Sequence, residues 1–257
     1  MATSSGVHAR RWPRRLAIAA GVAIALAAAG AVAVRVFFAR AAEASFWEDE
    51  IEAFEAADRA SMPAPGAVLF VGSSSIRMWD TLERDMAPVR VLNRGFGGAH
   101  MDHVVAFAPR IVAPYAPSAI VVYAGDNDIG AGASADRVVA DFERLVAFVR
   151  DGGSRAPIAF VAIKPSRLRW ELWPRMRAAN ERIAALAAAD PSLSYVDIAT
   201  PMLALRAPGE EDGPPPGTLF RFDGLHLSAA GYAVWTRVVR DALDAMLGDA
   251  LPKVEAR

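Results

Sequence analysis

Short runs dominated by apolar residues recur along the chain, separated by longer segments with helical periodicity. The runs are short enough to be strands and too continuous for a sheet that faces water, which predicts strands buried on both faces. They lie at residues 68–71, 89–92, 119–124, 158–163 and 195–198. The pattern therefore predicts a five-stranded sheet in the interior of the protein.

Between and after these runs, apolar residues return at intervals of three and four, the spacing of an amphipathic helix. Such segments lie at residues 101–112, 135–149, 174–188 and 229–247, and Ser228 is the expected N-cap of the last. Alternating strands and helices call for parallel strands joined by right-handed crossovers, with helices on both faces. The expected fold is α/β, with three layers (α/β/α) around a five-stranded parallel, flavodoxin-like sheet.

The N-terminal region has a different pattern, an unbroken apolar run with arginines on both sides. As a helix, the 19 residues from 16 to 34 would reach roughly 28 Å, about the thickness of a hydrocarbon core. Four arginines precede the run and two follow it, which predicts that the N-terminus stays in the cytoplasm. We expect a basic cytoplasmic tail over 1–15 and a transmembrane signal-anchor over 16–39, with the remainder outside the cytoplasm.

This segment has a second interpretation, a cleavable secretion signal cut after Ala42 or Ala44. Signal peptides usually have a shorter apolar region, which favours the anchor. The abundance of alanine and arginine is typical of a GC-rich bacterial genome. The expected location is thus the bacterial inner membrane, with a single span and the folded domain on the periplasmic side. Secretion after cleavage is the alternative.

A helix is expected to join the N-terminal segment to the folded domain. Ser45 and Glu48 have the spacing of a capping box, which predicts that a helix starts here. We expect a linker helix within residues 40–65 and one folded domain over 66–250. Residues 208–217 of that domain are rich in proline and glycine, so they form neither a helix nor a central strand.

Charge is distributed unevenly along the chain. There are 28 Lys and Arg and 29 Asp and Glu, but the first 40 residues carry six arginines and no acid, so the remainder has a net charge of −7. A domain with that balance lacks the basic face that phosphate contacts require, so we expect no nucleic-acid partner. The absence of cysteine excludes thiolate catalysis and cysteine-built zinc sites.

Separate segments together have the residues of a serine nucleophile, its base and an oxyanion hole. Asp223 and His226 lie on one loop, close enough for the carboxylate to orient the imidazole. Residues 72–75, Gly-Ser-Ser-Ser, follow the first predicted strand, where a parallel sheet presents reactive side chains. The glycines within 93–98 and the amide of Asn127 follow the next two strands, and they offer N–H donors of the kind that stabilise an oxyanion.

These segments, in this chain order, resemble the four sequence blocks of the SGNH (GDSL) hydrolase family. The resemblance implies the SGNH hydrolase fold and ester hydrolysis without a metal or an organic cofactor. It implies Ser74 as the nucleophile, His226 as the general base and Asp223 as the residue that orients His226. It also implies that the oxyanion is held by the backbone N–H groups of Ser74 and Gly98 and by the side-chain amide of Asn127.

The resemblance covers roughly residues 68–232, most of the predicted domain, and has one departure. The family's aspartate before the nucleophile is Ser73 here; since that aspartate is not a member of the triad, we expect the chemistry to persist. The spacing within 93–98 is similar to that of enzymes like the platelet-activating factor acetylhydrolase. The sequence contains no evident large lid insertion, which favours a short acyl group, acetyl above all, on a small ester, a glycan or a lipid.

Alternatives remain open for the same chain. It could be a non-catalytic, membrane-tethered module of the same fold that binds carbohydrate or lipid, or, among enzymes, a lysophospholipase or thioesterase. Arg94 could bind a substrate carboxylate or phosphate, or brace its own turn. Trp170 could line an acyl or sugar pocket, or cover the edge of the core. His100 and His103, with Asp102 between them, have no obvious third ligand elsewhere, so we expect no metal site.

Overall fold

The apolar runs form one parallel sheet, as the sequence predicts. The structure is a computed structural model that describes residues 12–41 and 43–253. The strands are β1 (Val68–Gly72), β2 (Val91–Gly95), β3 (Ala119–Tyr123), β4 (Ile158–Val161) and β5 (Leu193–Val196). All neighbouring strands are parallel, and their spatial order is β2-β1-β3-β4-β5. This is the flavodoxin-like order, so the predicted sheet type is confirmed.

Helices flank the sheet, and the long ones lie where the periodicity predicts them. The α-helices of the described residues are α1 (Trp12–Ala41), α2 (Glu48–Ala60), α3 (Ser74–Arg77), α4 (Leu82–Met86), α5 (Met101–Ile111), α6 (Asp126–Gly130), α7 (Ala135–Asp151), α8 (Trp173–Ala189), α9 (Ala199–Ala204) and α10 (Ala229–Leu247). The four long helices predicted after the second strand are α5, α7, α8 and α10. The short helices α4, α6 and α9 were not predicted, because so few residues show no periodicity.

The sheet is buried because helices pack on it. Every residue of β1, β3 and β4 is buried, which explains why these strands read as continuous apolar runs. Each fully buried aliphatic side chain contributes about 1.5–3 kcal/mol relative to exposure. The central strands are therefore the most firmly held part of the fold, and the loops at their ends start from fixed positions.

All five strands differ from their predicted limits by one to three residues, β2 and β5 at both ends, because pairing, rather than hydropathy, sets where a strand ends. β2 continues past the apolar run to Gly95, which pairs with Gly72 of β1. β5 begins two residues before its predicted start, at Leu193, which pairs with Ile158 of β4.

The segment before β1 packs into the folded domain. Residues 44–47 form a 3-10 turn, and α2 begins at Glu48 without a side-chain cap, so the predicted capping box of Ser45 and Glu48 does not form. Instead, α2 is tied to the domain by arginine–carboxylate pairs. One of these is Arg110 Nε to Glu55 Oε1 at 2.6 Å.

The chain divides into two compact units, and α1 is the described part of the first. Across the residues that the structure describes, no helix combines the length and hydropathy needed to cross a membrane. The transmembrane segment predicted over 16–39 is therefore not supported. A helix, α1, does form over these residues. Most of the predicted tail over 1–15, and Ala42, lie outside the described residues. The cellular location stays a prediction.

Candidate active site

The predicted site residues come from loops at one edge of the sheet. Ser74, Gly98 and Asn127 follow β1, β2 and β3 respectively, and these three strands are neighbours. In the sheet, β1 has β2 on one side and β3 on the other, so the direction in which strands are added reverses at β1. Open α/β sheets bind ligands at such a switch point, beyond the carboxyl ends of the strands. Asp223 and His226 come from the loop before α10.

A turn at the end of β1 presents Ser74. Gly72 has a φ of +133°, and a Cβ there would lie 1.9 Å from the carbonyl oxygen of Tyr123 in β3, so only glycine fits. Ser74 is the first residue of α3, where a backbone N–H has no carbonyl partner within its own helix. Ser73 and Ser75 are both buried. Of the three serines, Ser74 is the one whose hydroxyl contacts His226.

Hydrogen bonds connect Ser74, His226 and Asp223 in a continuous chain. Ser74 Oγ lies 3.0 Å from His226 Nε2. His226 Nδ1 lies 2.6 Å from Asp223 Oδ2. The other carboxylate oxygen, Oδ1, accepts the backbone N–H groups of Leu225 at 2.9 Å and His226 at 3.0 Å. The fold thus brings together a serine and a histidine that are 152 residues apart.

The carboxyl group of Asp223 is held in its ionised form. Partial burial raises its pKa, but the hydrogen bonds from the His226 ring and from the two backbone N–H groups outweigh burial and lower the pKa to about 2. A carboxylate beside Nδ1 keeps a proton on that nitrogen, which leaves Nε2 with a lone pair facing Ser74.

Helix α10 holds the histidine loop and the nucleophile turn together. Ser228 caps α10 as predicted, since its side chain accepts the N–H of Gly231 at 3.3 Å. Tyr232, one turn into α10, donates its hydroxyl to the carbonyl of Ser75 at 2.9 Å. The backbone N–H of Arg221 donates to the carbonyl of His226 at 2.7 Å, which closes the loop. The hydrogen bonds of α10 and of the loop before it therefore fix the distance between Ser74 and His226.

Gly98 and Asn127, the predicted oxyanion residues, face one another. A Cβ on Gly98 would lie 3.8 Å from Asn127 Nδ2. The same amide nitrogen donates to the carbonyl of Ala99 at 3.2 Å. A primary amide carries two N–H bonds, so one donor of Asn127 remains for a ligand.

The turn that carries Gly98 is supported from the segment before the sheet. A Cβ on Gly97 would lie 1.7 Å from a ring carbon of Trp47, so the indole packs directly on the glycine backbone. The N–H of Gly97 donates to Glu50 Oε2 at 2.9 Å. The 3-10 turn and the first turn of α2 thus fix the position of this loop.

Arg94 is placed away from Ser74, with its donors used in packing. Its guanidinium is buried and donates to Asp58 Oδ1 at 2.5 Å, to the hydroxyl of Tyr115 at 2.7 Å and to the carbonyl of Asn93 at 3.0 Å. These contacts tie β2 to α2. The structure therefore supports the bracing interpretation of Arg94 rather than substrate binding.

Trp170 lies in a 3-10 turn before α8. It both covers part of the core and lines a cavity, the two alternatives that the sequence left open. It packs against the core and stacks on Trp173, with ring centroids 6.2 Å apart and planes 12° apart. It also lines an open cavity of about 520 Å³ together with Tyr195 and Asp197. None of Ser74, Asn127 and His226 lines this cavity.

His100 and His103 lie at the N-terminus of α5 and contact each other there. The backbone N–H of His100 donates to Nδ1 of His103 at 3.2 Å, a capping interaction. Their rings stack in parallel, 4.7 Å apart and 5° from coplanar. Ligand atoms of the two histidines and Asp102 lie within 4.8 Å of one another, but one nitrogen of His103 is already engaged in the cap. Burial lowers the pKa of His100, which favours its neutral form.

A buried ion-pair network behind Asn127 was not predicted. Asp126 accepts Lys164 Nζ and Arg169 Nη1, both at 2.5 Å, and Arg169 Nη1 also reaches Asn127 Oδ1 at 3.1 Å. Burial opposes ionisation of Asp126, yet the attraction of the two cations lowers its pKa, and burial raises the pKa of Tyr123 beside it to about 12. One feature of the sequence could have indicated this network. Lys164 directly follows an apolar run that ends inside the protein.

Fold and site together define a class of protein, an α/β enzyme that hydrolyses ester bonds. The sequence then shows the family, because residues 63–234 match the model of the GDSL-like Lipase/Acylhydrolase family. This match spans more than half of the chain, so the chain belongs to that family. A search of curated proteins finds no significant match.

Solved structures share the fold at low sequence identity. A platelet activating factor structure from Streptococcus pneumoniae has a TM-score of 0.68 at 21% identity, over 83% of this chain and 99% of that one. A GDSL-like lipase from Bacteroides thetaiotaomicron has a TM-score of 0.64 at 19% identity, over 75% and 96%. An acetyl xylan esterase has a TM-score of 0.57 at 17% identity, over 69% and 99%. At these sequence identities, the comparison with solved structures shows a shared fold and nothing further.

Proposed function

We propose that the protein is a serine esterase that hydrolyses short-chain carboxylic esters through an acyl-enzyme. The observation that carries this proposal is the hydrogen-bonded chain from Ser74 through His226 to Asp223, with Oγ to Nε2 at 3.0 Å and Nδ1 to Oδ2 at 2.6 Å. A serine is a weak nucleophile until a base removes its proton, and an ionised carboxylate orients that base.

The proposed reaction has two halves. Ser74 Oγ bonds to the ester carbonyl carbon while its proton moves to His226 Nε2, and the carbonyl oxygen takes the electron pair. When the carbonyl re-forms, the bond to the alcohol oxygen breaks, and the alcohol leaves with the proton from His226. Water then loses a proton to Nε2 and its oxygen bonds to the acyl carbon. When the carbonyl re-forms, the bond to Ser74 Oγ breaks, Oγ takes the proton back from His226, and the carboxylic acid leaves.

The negative oxygen formed in each half needs donors that are already in place. We assign this role to the N–H of Ser74, the N–H of Gly98 and the amide of Asn127. The N–H of Ser74 belongs to the first turn of α3, and the amide of Asn127 lies beside Gly98. All three come from the carboxyl ends of adjacent strands, so they converge on the carbonyl that Ser74 attacks.

The direct test of the nucleophile is chemical labelling. A fluorophosphonate probe reacts with a serine only when a base and an oxyanion hole activate it. We expect mass spectrometry to locate the adduct on Ser74 and labelling to be absent after heat denaturation. An adduct on another serine, or none, would contradict the proposal.

Removing the amide of Asn127 should slow catalysis without weakening substrate binding. For Asn127→Ala we expect kcat to fall by roughly 10²–10³, the usual effect of deleting one oxyanion donor, while KM changes far less. The measurement is steady-state hydrolysis of a short-chain ester, with circular dichroism to check the fold. A change confined to KM would instead identify Asn127 as a substrate-binding residue.

We further propose that the substrate is an acetylated sugar. The acetyl xylan esterase that shares this fold supports a short acyl group, and the open cavity beside Trp170 is the feature of this structure that suits a sugar. Aromatic faces with nearby polar groups suit carbohydrate, and here the partly exposed Trp170 lies near Asp197 and Tyr195.

Trp170 should therefore matter for sugar esters and not for small ones. For Trp170→Ala we expect KM for an acetylated oligosaccharide to rise about ten-fold, the effect of roughly 1.4 kcal/mol, with p-nitrophenyl acetate unaffected. Trp170→Phe, which keeps an aromatic face, is the matched control. Equal effects on both substrates would contradict the sugar proposal.

One observation favours the alternative of a lysophospholipase or thioesterase. Phe222, the neighbour of Asp223, is fully exposed, and Leu168, whose N–H donates to the carbonyl of Gly224, is 63% exposed. Exposed apolar side chains beside the triad loop could contact a long acyl chain. A series of p-nitrophenyl esters separates the two, since activity that rises with chain length would favour the alternative over acetyl.

A further inference from the structure

We propose that Arg169 is a positioning residue for the oxyanion hole, which orients the amide of Asn127 and places a positive charge behind it. This inference rests on the proposed function, because it assigns Arg169 to the same catalytic site. Arg169 belongs to no sequence block of the family resemblance, and its contacts carry the argument.

The first contact determines which way the Asn127 amide faces. Arg169 Nη1 lies 3.1 Å from Asn127 Oδ1. A guanidinium has donors and no acceptor, so only the amide oxygen can face it favourably. The nitrogen Nδ2 must then lie on the opposite side, where it meets Gly98 and donates to the carbonyl of Ala99. Without Arg169, the amide could rotate and present its oxygen to the developing oxyanion, which would repel it.

The second set of contacts holds Arg169 itself in place. Its Nη1 also lies 2.5 Å from Asp126 Oδ1, and its side chain is only 14% exposed. The guanidinium lies close to the backbone of Gly130, where a Cβ would come within 2.9 Å of Cζ. A side chain at this position would press on the guanidinium and displace it from its contacts. Arg169 is thus held in a fixed geometry of the kind that preorganised donors need.

The third feature is the charge balance behind Asn127. Asp126 is buried and pairs with two cations, Lys164 and Arg169. One carboxylate cannot neutralise both, so the network has a net charge of +1. A negative charge forming on the substrate oxygen near Asn127 is therefore stabilised, whereas the neutral ester gains little.

Arg169 also belongs to a segment that reaches the histidine loop. The N–H of Leu168 donates to the carbonyl of Gly224 at 3.0 Å, next to Asp223. Leu168 thus contacts the loop that carries Asp223 and His226, and the next residue, Arg169, contacts the amide of Asn127. Because it acts through Asn127, Arg169 should affect kcat and leave ground-state binding of a neutral ester almost unchanged.

The experiment combines Arg169→Met with Asn127→Ala in a double-mutant cycle. Loss of a hydrogen bond to a charged group corresponds to about ten-fold in rate. We expect kcat for p-nitrophenyl acetate to fall roughly ten-fold in Arg169→Met with KM within about two-fold, and Arg169→Lys, which keeps the charge, to recover part of the loss. In the Asn127→Ala background, Arg169→Met should have a clearly smaller effect, because the charge is still lost but there is no amide left to orient.

Arg144 provides the matched control. It is a surface arginine of α7 that pairs with Asp141 at 2.8 Å, so Arg144→Met loses an arginine without touching the site. We expect wild-type kcat from it. If Arg169→Met does not fold, the Arg169→Lys variant carries the same cycle, with a smaller kcat loss that is again reduced in the Asn127→Ala background.

Two outcomes would overturn the inference. An unchanged kcat in the Arg169 variants would do so, and so would a loss that adds fully to that of Asn127→Ala, since Arg169 would then act independently of the amide. Failure of the proposed function is distinguishable from either, because it would appear as full activity in Ser74→Ala or as no fluorophosphonate adduct on Ser74. Labelling of Ser74 with normal kcat in Arg169→Met would reject only the role of Arg169.

Discussion

Replacing Ser74 with alanine is expected to abolish ester hydrolysis while the fold is retained. The substitution removes one hydroxyl that contacts His226 at 3.0 Å and leaves the buried residues around it unchanged. Loss of a triad serine lowers kcat by about 10⁶ in comparable enzymes. The measurement is hydrolysis of p-nitrophenyl acetate by purified protein, with the thermal midpoint as a check on stability.

Ser73→Ala and Ser75→Ala are the matched controls for this variant. Both side chains are buried, and Ser75 Oγ has no hydrogen-bond partner among the described residues, so its loss should cost little. We expect both variants to keep most of the activity. Activity that survives in Ser74→Ala and disappears in a neighbour would show that the first sequence block is misaligned.

Asp223→Asn should produce the second-largest loss, about 10⁴ in kcat, as is known for this change in a serine triad. The asparagine oxygen can still accept the N–H groups of Leu225 and His226, which bond to Oδ1 in the structure. Its amide nitrogen then faces His226 Nδ1, 2.6 Å away in the wild-type pair. Two donors cannot face each other, so the imidazole must move its proton to Nε2, where it can no longer accept the proton of Ser74.

The pH dependence of kcat/KM tests whether the charge of Asp223 limits activity in acid. Since the pKa of Asp223 is lowered to about 2, its carboxylate remains charged well below neutral pH. We therefore expect that a fall in kcat/KM in mild acid does not come from neutralisation of Asp223. The control is Asp190→Asn, because Asp190 Oδ1 accepts the N–H of Ser192 in the turn before β5 and has no role in the proposed site. Near-full activity in Asp223→Asn would exclude it as the triad acid and make Asp197 or Asp128 the candidate.

Much of the fold and of the site could be predicted because the relevant signals are local. A strand buried on both faces must be a continuous apolar run, so β1, β3 and β4 were evident from their composition. The loops at the ends of parallel strands meet at one edge of the sheet. Ser74 and Asn127 could therefore be expected near each other before any distance was known.

The direction of long polar side chains could not be predicted, because it depends on partners distant in sequence. Arg94 lies in the expected block, but Asp58, 36 residues away, determines where its guanidinium goes. Arg169 contacts Asp126 and Asn127 across 43 and 42 residues, a pairing with no local pattern. Ser45 and Glu48 have the spacing of a cap, yet a 3-10 turn uses these positions differently.

The packing of Trp47 on Gly97 has a consequence for how this enzyme can be dissected and how it can change during evolution. The family match begins at residue 63, so Trp47 and Glu50 lie outside the region that defines the family. A fragment cut at that boundary would retain Ser74, Asp223 and His226 but lose the two side chains that support the Gly97 turn. We therefore expect the smallest active fragment to begin upstream of residue 63. Substitutions in this upstream segment are then expected to change the rate although Ser74, Asp223 and His226 are unaltered.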